Sequence, residues 1–122
     1  MPKKILIVED NEKNRVLVRD ILEYYGYKVL EATDGAEGVK MATEHMPDLI
    51  LMDIQMPVMD GITAGKILKN DPGTKGIKII ALTSFVMKGD KEEILTAGFD
   101  DYLPKPINTR QLPKLVKKTL NE

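Results

Sequence analysis

Three unbroken apolar runs, Ile5 to Val8, Leu49 to Met52 and Ile79 to Leu82, constrain this chain more than any other feature. Each is short, rich in branched side chains and bounded by polar positions. Without alternation neither face of such a run can be wet, so these read as strands covered on both sides, as in a parallel sheet. Lys28 to Ala32, interrupted by Glu31, and Asp101 to Leu103 are weaker candidates. Their mixed polarity suits the edges of a sheet better than its centre.

Helical patterns lie between the runs. Leu17, Val18, Ile21, Leu22 and Tyr25 share one stripe of a helix that Gly26 can terminate. Asp34 followed by Glu37, and Asp90 followed by Glu93, have capping-box spacing, and Asn108 and Gln111 repeat it before the last helix. Pro113 sits awkwardly in that helix's first turns, which predicts a late start or a slight bend. The order is β-α repeated five times, and right-handed crossovers then put helices on both faces of a parallel sheet. Runs one, three and four are the most apolar, so the spatial order 2-1-3-4-5 is expected, which makes them the centre. Connections are short, no repeat or linker intervenes, and residues 1–122 read as one domain.

Composition removes several classes of function. Lysine plus arginine number 18 against 19 acidic residues, for a net charge of −1. No basic stripe appears, so nucleic acid is not an expected partner. There is no cysteine, which excludes disulfides, thiolate catalysis and zinc-thiolate sites and fits a reducing compartment. The apolar run after Met1-Pro2-Lys3-Lys4 is too short for a signal peptide or membrane span, so a cytoplasmic location and no membrane partner are expected.

In an open α/β sheet, ligands bind beyond the carboxyl ends of the strands, near the point where strand order reverses. Here that point lies between strands one and three, which end in Glu9-Asp10 and in Asp53. Three carboxyl groups crowded at one rim raise at least one pKa unless a cation joins them. Oxygen donors without histidine or cysteine favour a hard ion, magnesium first. Thr83 at the end of strand four and Lys105 after strand five reach the same rim. Singly, Glu9 could simply face solvent, Thr83 is a turn residue and Lys105 a solvated charge. Together they meet the needs of phosphoryl transfer, in which positioning and neutralisation of oxygen charge do most of the work.

Glu9-Asp10-Asn11, Asp53-Ile54-Gln55-Met56-Pro57-Val58-Met59-Asp60-Gly61, Leu82-Thr83-Ser84 and Lys105-Pro106 resemble the signature set of response regulator receivers, in order and over the whole chain. The resemblance implies a flavodoxin-like (βα)5 fold and a phosphoacceptor switch of a two-component system or phosphorelay. It implies that Asp53 accepts the phosphoryl group, and that Glu9, Asp10, Asp53 and the Gln55 backbone carbonyl hold Mg2+. Thr83 would hydrogen-bond the phosphoryl group and Lys105 would pair with it. Tyr102 matches the family's aromatic switch, an edge-strand tyrosine with a wet hydroxyl being the plainer reading. The Lys105-Pro106 bond would be cis. Implied partners are a histidine kinase or histidine phosphotransfer protein as donor and a separate downstream effector protein. The donor is expected over the rim beside helix one, near Lys13, Asn14, Leu17, Pro106 and Ile107. Phe85 to Asp90 looks closer to single-domain regulators of the bacterial cell-division type and to receivers of hybrid kinases.

Other signals carry less. Gly61 to Lys66 suggests a phosphate loop, but the glycines are one residue too close and Ile67 replaces the required hydroxyl. His45 has no partner motif, Met56 and Met59 read as packing, and Lys88 to Glu93 reads as a solvated helix start. A phosphatase of the haloacid dehalogenase type also uses an aspartate after a strand, but it wants a second acid where Gln55 stands. Flavin binding is disfavoured because two acids at the first loop would repel a flavin phosphate. A degenerate receiver is disfavoured by the complete acid, hydroxyl and lysine set.

Overall fold

The computed structural model describes residues 2–56, 58–84 and 88–122, the side chains of 88–90 excepted. Strands β1 (Lys4–Val8), β2 (Lys28–Ala32), β3 (Leu49–Asp53), β4 (Lys78–Thr83) and β5 (Asp101–Pro104) alternate with helices α1 (Glu12–Tyr24), α2 (Gly35–His45), α3 (Gly61–Asn70), α4 (Lys88–Thr96) and α5 (Gln111–Thr119). All pairings are parallel, in the order β2-β1-β3-β4-β5. The weakly apolar strands are the edges, as their polarity requires. No described helix is long and apolar enough to cross a membrane.

Side chains along a strand point alternately to opposite faces, so each central strand feeds two cores. Ile5, Ile7, Leu49, Leu51, Ile80, Leu82 and Leu103 pack with Val18 and Leu22 of α1 and Leu112 and Val116 of α5. Leu6, Val8, Ile50, Met52, Ile79 and Ala81 pack on the other face with Ala42 of α2, Ala64 and Leu68 of α3 and Ile94 of α4. Both layers are dry, which explains why the central strands lack alternation. On the second face Gly38 lets α2 approach Val8, and Gly65 leaves room for the Phe99 ring.

Caps set the helix entries. Asn11 Oδ1 accepts from the Asn14 amide at 3.0 Å, and Asp34 Oδ1 from the Glu37 amide at 2.8 Å. Asp60 does the same for Thr63, and Asn108 for Arg110 and Gln111. Helix α5 begins three residues after Asn108, which puts Pro113 in the first turn, where a missing N–H forfeits no intrahelical bond. Two expectations need correction. Asp90 lies inside α4, which already begins at Lys88. A spacing of three also joins neighbours on a helix face, so it does not mark a start by itself. The stripe on α1 is narrower than its periodicity suggests: Val18 and Leu22 are buried, whereas Leu17 and Tyr25 are exposed. Gly26 does follow the helix with φ +88°, a conformation that glycine adopts without strain.

Candidate phosphoacceptor site

Parallel pairing brings the carboxyl ends of β1, β3, β4 and β5 to one rim. The ladder runs past the strand ends: the Glu9 amide donates to Ala32 O at 3.0 Å, Ile54 N to Leu82 O at 3.1 Å and Lys105 N to Thr83 O at 2.7 Å. The backbone at Glu9, Asp53, Thr83 and Lys105 is therefore tied into the sheet. Gly61 closes the β3–α3 connection against the Asp53 carbonyl, where a Cβ would collide with the backbone.

Carboxylate oxygens of Glu9, Asp10 and Asp53 lie within 4.8 Å of one another. Lys105 Nζ donates to Glu9 Oε1 at 2.8 Å and pairs with Asp53 Oδ2 at 3.0 Å. The other Asp53 oxygen, Oδ1, accepts from the Gln55 amide at 3.0 Å. Asp53 is 2 % exposed and Glu9 wholly buried, while Asp10 faces solvent. Burial, aided by the hydrogen bond and charge of Asp53 and opposed by Lys105, pushes the Glu9 carboxyl up to about 7. Burial works against the Lys105 ammonium as well, but its hydrogen bonds and charge contacts with Glu9 and Asp53 outweigh that and raise its pKa.

Glu9 Oε2 is buried with no hydrogen-bond partner among the described residues. An orphaned carboxylate oxygen costs free energy unless something else satisfies it. A hard cation fits: three carboxyl groups converge, one of them open to solvent, and among the described residues no histidine or cysteine joins the cluster.

Thr83 is buried at the end of β4, opposite Pro104. Tyr102 is half-buried opposite Ala81, with Lys91 Nζ 5.1 Å from its ring centroid. The Lys105-Pro106 bond is cis, as the resemblance implies. Of the expected docking residues, Lys13, Leu17 and Pro106 are exposed and Asn14 and Ile107 half-buried. His45 ends α2 at the opposite end of the sheet, its carbonyl accepting from Lys4 Nζ. Pro57 and Phe85 to Met87 lie outside the described residues.

The sequence reading missed one contributor. Arg15, on the first turn of α1, donates from Nη1 to the Glu9 carbonyl at 3.0 Å and from Nε to Glu31 Oε1 at 3.2 Å. It ties the acidic corner to edge strand β2. The one available signal was Glu31, a charge interrupting an otherwise apolar strand.

Residues 5–117 match the family model described as the response regulator receiver domain. The polar-differentiation response regulator DivK of Brucella anthropi is 44% identical over 122 residues, covering 100% of this chain and 99% of that protein. Among solved structures, the receiver domain of sensor histidine kinase PA1611 from Pseudomonas aeruginosa aligns at TM-score 0.92 with 34% identity over 100% of both chains. That structure has a magnesium ion coordinated in its active site cleft. The receiver domain of Saccharomyces cerevisiae Ssk1, solved with the histidine phosphotransfer signaling protein Ypd1, aligns at 0.90 with 32% identity, covering 96% of this chain and 88% of that one. Strand order, acidic rim and full-length likeness agree, and the chain belongs to the response regulator receiver family of two-component signalling.

Proposed function

We propose that this chain is a phosphoacceptor switch in which Asp53 takes a phosphoryl group from a phosphohistidine donor in a Mg2+-dependent reaction. The observation that carries this reading is the hold on Asp53. One oxygen faces the Lys105 ammonium at 3.0 Å and the other a backbone N–H at 3.0 Å, so the carboxylate is aimed before a donor arrives. A carboxylate oxygen of Asp53 attacks phosphorus as the bond from phosphorus to the donor imidazole nitrogen breaks. The imidazole takes up a proton and departs, leaving an acyl phosphate that water later hydrolyses. Glu9, Asp10, Asp53 and the Gln55 carbonyl would hold Mg2+, which neutralises charge on the phosphoryl oxygens. Lys105 pairs with the transferred group, and Thr83 hydrogen-bonds it and draws the β4 end towards Asp53. That movement makes room for Tyr102 to turn inward and changes the surface that a separate effector protein reads.

The donor is a histidine kinase or a histidine phosphotransfer protein, as the Ssk1–Ypd1 pair suggests by likeness. It docks over the rim beside Lys13, Asn14, Leu17, Pro106 and Ile107, in the cytoplasm. The protein catalyses only its own phosphoryl gain and loss. A phosphatase of the haloacid dehalogenase type would need an acid at position 55, and the Gln55 amide is neither acid nor base near neutral pH.

The test is labelling with a radioactive small acyl phosphate. The parent should gain a hydroxylamine-sensitive label with Mg2+ and none with a chelator, and Asp53→Asn should gain none. Label persisting on Asp53→Asn and mapping to another residue would overturn the assignment.

A further inference from the structure

The end of α1 and one side of α5 flank a cleft of about 230 Å³, lined by Tyr25, Thr109, Arg110, Pro113, Lys114 and Lys117. Tyr25 is 47% exposed and Tyr24, packed edge-on to it at 5.2 Å, is 84% exposed. Lys117 Nζ stands 5.8 Å from the Tyr25 ring centroid. The lining includes no acid, although acids outnumber bases in the chain by 19 to 18. Arg15, Arg19, Lys69, Lys78 and Lys105 each have a carboxylate partner. Among the described residues Arg110, Lys114 and Lys117 have none, as is true of most of the surface lysines, but these three share one cleft. Helix energetics explains Lys117, which sits in the last turn of α5 and complements its dipole. It does not explain Arg110 at the opposite end, where a cation is unfavourable and the first turn carries no acid.

We propose that this cleft is a docking site for an acidic helical segment of a partner protein. Arg110, Lys114 and Lys117 fall at intervals of four and three, so they line one side of α5 over roughly 10 Å at the helical rise of 1.5 Å per residue. An opposing helix with one acidic residue per turn matches that spacing. An apolar side chain on the same helix covers the exposed Tyr25 ring beside buried Pro113, the arrangement of a helix laid in a groove. Three cations on a chain of net charge −1 are too few to hold a nucleic-acid backbone. The cleft shares no residue with the acidic rim and does not depend on its chemistry.

The test is a titration of the full, isotopically labelled chain with a synthetic helix-forming peptide. Its first, fifth and eighth positions are glutamate with leucine between, and the control has glutamine in their place. Amide shifts should move at residues 24–25 and 109–117 and not around Asp53, and the glutamine peptide should bind at least about tenfold more weakly. Arg110→Glu with Lys117→Glu should lose the acidic peptide and gain one bearing lysines at the same positions. These side chains are at the surface, so the fold should survive, which circular dichroism checks. Lys114→Glu alone should give a smaller loss. Equal binding of the two peptides, shifts elsewhere, or no shift at millimolar peptide would overturn the proposal. So would the same shifts from anionic vesicles, or from raising the protein concentration without peptide.

Discussion

A carboxyl group buried beside a second carboxylate, as Glu9 is beside Asp53, binds its proton more tightly folded than unfolded, even with Lys105 opposing. The stability this group confers is full below its ordinary value of 4.5 and is lost as pH rises through about 7. In chelator, Glu9→Gln should therefore be more stable than the parent at pH 8, with a smaller difference at pH 5. It should also bind Mg2+ more weakly. Urea unfolding at the two pH values checks the first part, and identical pH dependence in both proteins would refute it. Val58 presents a different cost. It is 85% exposed with φ +69°, a left-handed conformation that a β-branched residue resists. That strain is worth about 1–2 kcal/mol, against about 0.5–1 kcal/mol for the extra freedom of glycine in the unfolded chain. Val58→Gly should stabilise the fold by about 0.5–1 kcal/mol in the same assay. A fall in stability would show that the valine side chain is held by contacts in the folded state.

At the scale of elements, α1 and β2 act on the acidic corner through Arg15, which grips the Glu9 carbonyl and Glu31 together. Partners that orient metal ligands from behind commonly change metal affinity by about tenfold or more. Arg15→Ala should weaken Mg2+ binding by about that factor, with Arg15→Lys between it and the parent. Calorimetric titration measures this without any phosphoryl donor, and unchanged affinity would reduce Arg15 to a fold-stabilising role. Arg15 also shows where sequence reading ends. Glu9, Asp10, Asp53, Thr83 and Lys105 are legible because each stands at or just beyond the end of a strand, and parallel topology sends strand ends to one rim. Arg15 is six residues from Glu9 in sequence and meets its carbonyl only because Asn11 caps the helix where it does. Periodicity overstated the buried face of α1 for a related reason. An apolar side chain at the right spacing is buried only where a neighbour covers it, and nothing in the described chain covers Leu17 or Tyr25 fully. Cap spacing worked at Asp34, where a polar residue precedes the helix, and failed at Asp90, where the same spacing falls within one.

For the molecule as a whole, the two buried layers leave little room for the sheet to rearrange, so under the proposed function a phosphoryl group would act by choosing between states of the β4–β5 rim. Thr83→Ala should still be labelled on Asp53, yet its amide shifts along β5 on adding a phosphoryl mimic should be much smaller than the parent's. Equal shifts would remove Thr83 as the coupling residue. Assembly has an order of its own. The ion pair that neutralises the acidic corner joins Lys105 to Glu9 across 96 positions, so it forms only when the last strand has docked on a nearly complete sheet. Until then the corner holds acids without their counter-charge. A chain that stops short of β5 lacks Lys105, the counter-charge that the proposed function sets against a phosphoryl group on Asp53. Under the proposed function the signal would thereby be reserved for finished molecules, and a half-built chain would draw no phosphoryl group away from its donor.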